Sequence, residues 1–347
     1  MFGSNILEVA IGLIFIFLLY SLLATAINEA IASYLGLRAK NLKKAIERML
    51  DDDSGKTTLS DQFYKQPLIK YLGEPTFFGK ILRKPAYLSS QSFSKNVLDL
   101  LKNLDQAKAA EVDVAAKIKA GIDKIPASET KQFVTSLMED ANYDIEKFKA
   151  LLEQWYNDTM ERASGWYKRR VQFMIFVIGL TLSITFNVDS LELVNKLSKD
   201  PESRKLIVAM ATAHVENQEK IAKQKQLDTT TQSVLQKYSL TIPKIDSDLI
   251  KHDSIVSFAD SLLKSDIRNA NNLLSAGWKD YGGATDKWGK LKHVLSQLCS
   301  VKKLLGFLIT TFAISLGAPF WFDLLNKLVK MRSGGKKPDE EKAIKTN

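Results

Sequence analysis

Three long apolar stretches interrupt an otherwise highly charged chain of 347 residues. The first runs over Ile6–Ile27 with Glu8 as its one charged residue, the second over Val171–Val188 and the third over Leu304–Phe322. A helix needs about 20 apolar residues to cross the hydrocarbon core of a bilayer. The pattern therefore predicts an integral membrane protein with transmembrane helices at residues 6–27, 171–188 and 304–322.

The segments between these stretches carry helical patterns. Apolar residues recur at three- and four-residue intervals from Ala30 to Leu50 and again from Ile145 to Met160. Asn187–Ser190 has the composition of a helix N-cap. No alternating pattern supports a sheet of any size. The predicted fold class is an all-α membrane protein with one helical domain at 28–170 and a second at 189–303.

Basic residues near the spans predict an orientation. Five follow the first span, Lys168–Arg170 precede the second, and more follow the third between Lys327 and Lys337. Lys and Arg collect on the cytoplasmic side of membrane proteins. We therefore expect an outer tail at 1–5, a cytoplasmic domain at 28–170, an extracytoplasmic domain at 189–303 and a cytoplasmic tail at 323–347. Lys302 and Lys303 do not follow the rule.

Aromatic residues flank the second and third spans, as in interfacial belts. The predicted belt consists of Trp166, Tyr167, Phe320, Trp321 and Phe322. Pro319 lies inside the third span, where its ring removes a backbone hydrogen bond. It therefore predicts a kink in that helix.

Ionisable residues near the ends of the spans are candidates for function, because a charge at membrane depth is costly unless it is paired or solvated. Under the predicted orientation five of them fall near the inner boundary: Glu29, Lys168, Arg169, Arg170 and Asp323. We expect a salt-bridge cluster that holds the three helices in register. The alternative is an ion or proton pathway, which would require polar groups along the full depth of the membrane.

Signatures of enzymes, metal sites and nucleic-acid binding are missing from the sequence. Cys299 is the single cysteine, which excludes an intrachain disulfide, and His214, His252 and His293 do not have the spacing of metal ligands. No GxSxG, P-loop or Rossmann glycine motif occurs. The net charge of +10 includes basic clusters beside the spans. Lys and Arg collect beside spans in membrane proteins, so these clusters do not require a nucleic-acid partner. We predict no catalytic residue, cofactor, metal or nucleic-acid partner.

Several short motifs carry a resemblance to other proteins. They are Pro67–Ile69, Lys84–Tyr87, Ser164–Arg170, Asn187–Asp189 and Ser315–Lys327. Together they resemble a widespread, uncharacterised group of bacterial membrane proteins with one N-terminal span and two later ones. In that group a histidine often precedes the Pro-Leu-Ile step, where this chain has Gln66. The resemblance implies the bacterial inner membrane and brings no activity with it.

The sequence favours a non-enzymatic membrane anchor or scaffold over other functions. Its helical domains would bind protein partners, which the sequence does not identify, while its spans contact the lipid bilayer. The alternative is a self-associating channel or signal transmitter that uses Glu29, Pro319 and Asp323. Either protein would be multi-pass, with its N-terminus outside and its C-terminus inside.

Overall fold

The computed structural model describes residues 2–51, 59–75, 82–104, 113–218, 261, 266–274, 288 and 300–334. Within these ranges the chain is helical, apart from connections and one antiparallel pair of two-residue strands. The all-α prediction is confirmed. Cys299, His252, His293 and the tail beyond residue 334 lie outside the described residues, as does most of the segment 219–299.

The elements in chain order are α1 (Phe2–Tyr34), α2 (Leu37–Leu50), α3 (Leu59–Lys65), α4 (Pro67–Tyr71), β1 (Glu74–Pro75), β2 (Leu82–Arg83), α5 (Ser90–Leu104), α6 (Val114–Lys124), α7 (Glu129–Asp140), α8 (Ile145–Thr185), α9 (Ser190–Lys199), α10 (residues 201–218), α11 (Arg268–Leu274), α12 (Val301–Ser315) and α13 (Ala318–Gly334). They form two compact units. Unit 1 comprises residues 1–31 and 172–347, and unit 2 comprises residues 32–171.

One helix is by itself long and apolar enough to cross a membrane. Residues Asn5–Tyr34 of α1 reach a mean hydropathy of 2.6, and the predicted first span lies inside them. Two further candidates are pairs of helices joined by a sharp bend: α8 with α9 at 52° and α12 with α13 at 92°. Among the described residues there is therefore one candidate span, or up to three if each bent pair counts as one.

Unit 1 is built around α1. The side chains of Ile11, Phe15, Leu19 and Tyr20 are at most 1 % exposed. Tyr20 donates a 2.9 Å hydrogen bond to Oδ1 of Asn271 in α11. Since a lone span would present these side chains to lipid, their burial makes α1 the core of a helical assembly.

The amphipathic helices of unit 2 enclose a second core rich in aromatic residues. Phe93 stacks on Tyr156 with ring centroids 4.8 Å apart, and Phe63 packs against Phe93 at 5.6 Å. The Tyr156 hydroxyl donates a 2.6 Å hydrogen bond to the carbonyl of Leu88. Phe148 is fully buried on the same face of α8 as Tyr156. These contacts anchor α5 and the first half of α8 to one another.

Candidate functional sites

The first candidate site is the break between α12 and α13. α12 ends at Ser315, Gly317 takes a φ of +87°, and α13 begins at Ala318 in a direction that differs by 92°. Glycine tolerates this left-handed backbone without steric cost. Pro319 is the second residue of α13. N–H groups in the first turn of a helix have no intrahelical acceptor, so the missing N–H of proline costs no hydrogen bond there. The break lies at Gly317, two residues before Pro319, where the sequence predicts a kink.

The break leaves carbonyl groups in the last turn of α12 without helical partners, and side chains from four helices supply donors. Trp321 Nε1 donates to the Ala313 carbonyl at 2.6 Å, Ser21 Oγ to Ile314 at 3.2 Å, Gln172 Nε2 to Ser315 at 2.7 Å and Ser315 Oγ to Phe312 at 2.8 Å. Backbone N–H groups of Leu316 and Gly317 also reach the Ala313 and Ile314 carbonyls. A broken helix persists in an apolar environment only when its freed polar groups are satisfied in this way.

The middle of α12 is joined to the start of α9 by a buried polar junction. Asp189 caps α9 through the N–H groups of Leu191 and Glu192, as the sequence predicts. The Thr310 hydroxyl lies 2.7 Å from that of Ser190 and donates to the Val188 carbonyl at 2.8 Å. Hydroxyl groups between apolar helices more often join neighbours than conduct ions.

The second candidate site is a buried ion cluster that the sequence analysis did not predict. Glu8 accepts from Arg204 Nε at 3.3 Å and from Arg332 Nη2 at 3.2 Å. The Arg204 side chain is 7 % exposed, and it also donates to the Leu197 carbonyl at 2.9 Å and to Asn5 Oδ1 at 3.4 Å. A buried guanidinium requires such partners, because desolvation of an unpaired charge is costly.

This cluster brings the start of α1 beside the end of α13. Glu8 lies near the start of α1 and Arg332 near the end of α13. In unit 1 the start of α1 and the end of α13 are therefore neighbours.

The predicted aromatic belt is only partly on the surface. Trp166 and Phe320 are 39 % and 48 % exposed, and Tyr167 is half-buried. Trp321 is 8 % exposed and packs on Phe17 with centroids 4.9 Å apart. Phe322 also packs against the core of unit 1.

The predicted ion cluster remains a prediction. Glu29 is half-buried and Asp323 is exposed, both in unit 1. Lys168, Arg169 and Arg170 are exposed and belong to unit 2. Within the described residues, no group of three or more His, Cys, Asp or Glu side chains is placed to hold a metal ion. His214, the described histidine, lies against Phe15 with ring centroids 5.8 Å apart.

The third candidate site is an open groove in unit 2 with a volume of about 720 Å³. It is lined by Arg48, Met49, Asp51, Glu129, Thr130, Gln132, Phe133 and Trp155. Phe133 is 44 % exposed and tilts against Trp155 at 4.9 Å. The Arg48 guanidinium lies 4.5 Å above the ring of Trp166. We call this the aromatic groove.

The Pro67–Ile69 and Lys84–Tyr87 motifs lie elsewhere in unit 2. Pro67 opens α4, with Gln66 as the residue before it. The Lys84 ammonium lies 4.0 Å above the ring of Tyr64, whose buried hydroxyl has no hydrogen-bond partner. Burial and the nearby Lys43 lower the pKa of Lys84. The contact is a cation–π pair. It does not have the arrangement of a nucleophile beside a general base that a catalytic site would need.

Comparison with family models, with curated proteins and with solved structures finds no match for this chain. The geometry of the two units therefore carries the functional argument.

Proposed function

We propose that this protein is a non-enzymatic membrane anchor or scaffold that binds a protein partner in the aromatic groove of unit 2. The observation that carries the proposal is the groove itself, where the exposed ring of Phe133 and the half-buried ring of Trp155 lie beside charges of both signs. Trp, Tyr and Arg are enriched among the residues that dominate binding energy in protein interfaces. The bacterial inner membrane, implied by the resemblance of the motifs, is the proposed location.

The groove suits a peptide segment that inserts an apolar side chain between charged flanks. Phe133 and Trp155 would contact the apolar side chain, since their rings already form one tilted surface 4.9 Å apart. Arg48 on one wall and Glu129 on another are both exposed and are available to charged flanking residues of the partner. Covering these rings would remove apolar surface from water, at roughly 25 cal/mol per Å².

Membrane anchoring is the second part of the proposal. It is supported by the apolar length of α1 and by the absence of charged residues from residues 171–188 and 304–322. The proposal has no catalytic step, because the sequence offers no nucleophile and base in a known arrangement.

Photo-crosslinking from the groove tests partner binding. Benzoylphenylalanine at position 133 of the full chain should form an adduct of one defined mass in cells. The matched control is position 71, because Tyr71 is 89 % exposed in the same unit and does not line the groove. Arg48→Glu should abolish the adduct from position 133. Equal adducts from both positions, or no adduct from 133, would reject the groove as a binding site.

A self-associating channel or signal transmitter is the second candidate, and two observations favour it. Among the described residues of unit 1, the buried Oδ1 atoms of Asn28 and Asn326 have no hydrogen-bond partner. The break before Pro319 also divides a helix pair near Asp323, as in transporters whose discontinuous helices surround a binding site. Purified protein in liposomes should then conduct ions, and Asp323→Asn should change the flux. Absence of flux at every voltage and pH would dismiss the channel.

A further inference from the structure

The exposed apolar surface of unit 1 and the course of α12 and α13 carry an inference about how the chain meets lipid. It rests on the membrane anchoring proposed above. The argument uses contacts within unit 1 alone.

Helix α13 runs back along α1 from the break. Near the break the Ser21 hydroxyl donates to Ile314, then Trp321 packs on Phe17, and near its end Arg332 pairs with Glu8. At 1.5 Å per residue, Phe17 to Glu8 spans about 14 Å and Trp321 to Arg332 about 17 Å. The two lengths agree with antiparallel packing of α13 on α1.

Helix α12 runs toward the break along the end of α8. Its first turn lies near the end of α8, where Lys303 Nζ is 3.4 Å from Asn187 Oδ1. Its last turn meets Gln172, which donates to the Ser315 carbonyl at 2.7 Å. Fifteen helical residues span about 22 Å, which is less than the thickness of the hydrocarbon core. α12 alone therefore does not cross the core, and α13 turns away through 92° instead of continuing.

The end of α13 lies beside α10, the helix that follows α9. Arg204 of α10 and Arg332 of α13 bind the same carboxylate, Glu8, at 3.3 Å and 3.2 Å. All three residues must lie on one side of the membrane, because the carboxylate holds them within a few ångströms of each other.

An apolar surface without charge covers α12 and the neighbouring part of α8. On α12 the exposed residues Leu305, Ile309, Phe312 and Leu316 recur at intervals of four, three and four, which places them on one face. On α8 Phe173 and Val177 are 68 % and 45 % exposed, and the ring of Phe176 joins the two helices by packing against Phe312 at 5.3 Å. We call these six exposed residues the lipid face.

We infer that α12 and α13 form a re-entrant hairpin, which enters and leaves the bilayer on the side of Glu8 and presents the lipid face to acyl chains. The C-terminal end of α13 and helix α10 then share one face of the membrane. Lipid fits this surface because its apolar residues are contiguous and uncharged, and because the freed carbonyls at the turn of the hairpin already have donors from the protein. The inference holds whichever face is cytoplasmic.

Cysteine labelling in the full chain tests the shared side. In a Cys299→Ser background, single cysteines replace the exposed residues Glu202 in α10 and Met331 in α13. Sealed membrane vesicles are treated with a membrane-impermeant maleimide before and after permeabilisation. We expect the cysteines at 202 and 331 to be labelled alike, either both before permeabilisation or both only after it.

The other possible results distinguish a failure of the hairpin from a failure of the membrane anchoring. Labelling of position 331 from the opposite side to position 202 would overturn the hairpin and leave the membrane anchoring intact. Release of the protein from membranes by alkaline carbonate would overturn the anchoring and the hairpin together.

A second measurement tests the lipid face. Benzoylphenylalanine at position 312 should form adducts with phospholipid, whereas the same group at position 307 should not, because Phe307 is 0 % exposed in the same helix. An adduct from position 312 to a second copy of this chain would overturn lipid as the occupant.

Discussion

The indole Nε1 of Trp321 donates a 2.6 Å hydrogen bond to the carbonyl of Ala313, eight residues earlier and on the other side of the helix break. Trp321→Phe keeps most of the ring and removes this donor. We expect a loss of about 1 kcal/mol in unfolding free energy, the net contribution of one such bond. Thermal unfolding in detergent measures it. Phe320→Leu is the control, because Phe320 is exposed beside it, and equal losses would contradict the role of the bond.

The buried pair of Glu8 and Arg204 makes a second prediction. Glu8→Gln leaves the Arg204 guanidinium buried without a counter-charge, so we expect a loss of about 3 kcal/mol. Glu202→Gln removes a pair with Lys205 whose side chains are 83 % and 67 % exposed, and it should cost almost nothing.

Chemical unfolding of both variants provides the comparison. Arg204→Met should restore much of the stability of Glu8→Gln, because it removes the unpaired charge. Similar losses in Glu8→Gln and Glu202→Gln would show that the buried cluster does not stabilise unit 1.

His214 gives a prediction about pH. Burial lowers its pKa from 6.5, and the nearby Asp266 opposes part of the shift. Because the unfolded chain binds the proton more readily, His214 contributes stability that is fully present above pH 6.5 and is lost as the pH falls below it. The melting temperature should therefore fall between pH 7.5 and pH 5.5 by more in the native chain than in His214→Gln. Parallel pH profiles would exclude this contribution.

Two helical glycines should respond oppositely to alanine. A Cβ at Gly306 in α12 would overlap the carboxylate of Asp189, so Gly306→Ala should cost about 1–3 kcal/mol. A Cβ at Gly165 in α8 would meet no atom within 4 Å, so Gly165→Ala should stabilise the protein by up to about 1 kcal/mol. Urea unfolding of the two variants checks both signs. A stabilising Gly306→Ala would contradict the close approach of α9 to α12.

The sequence predicts the helices of this protein much better than their directions. The N-cap within Asn187–Ser190 is a local signal, and it is confirmed by the hydrogen bonds that the Asp189 side chain accepts from the N–H groups of Leu191 and Glu192. The apolar composition of residues 304–322 is the same whether the chain crosses the membrane or turns back. Averaged hydropathy therefore carries no information about the break at Gly317.

The candidate sites depend on pairings that no local pattern contains. Glu8 meets partners 196 and 324 residues away, so only the tertiary structure brings the three charges together. Trp321 shows a related difficulty, because an aromatic ring with one polar atom suits an interfacial belt and equally suits a buried donor. The composition of the aromatic groove gives no signal either, since α2, α7 and α8 contribute residues separated by about a hundred positions.

The carbonyls at the end of α12 also constrain the order of assembly. Their donors include Ser21 from α1 and Gln172 from α8, both of which are synthesised long before α12. When α12 and α13 are synthesised, the two side chains that donate to the α12 carbonyls are therefore already part of the chain. If α8 were missing, the Ser315 carbonyl would lose the Gln172 donor, and if α1 were missing, the Ile314 carbonyl would keep only the bond from the Gly317 N–H.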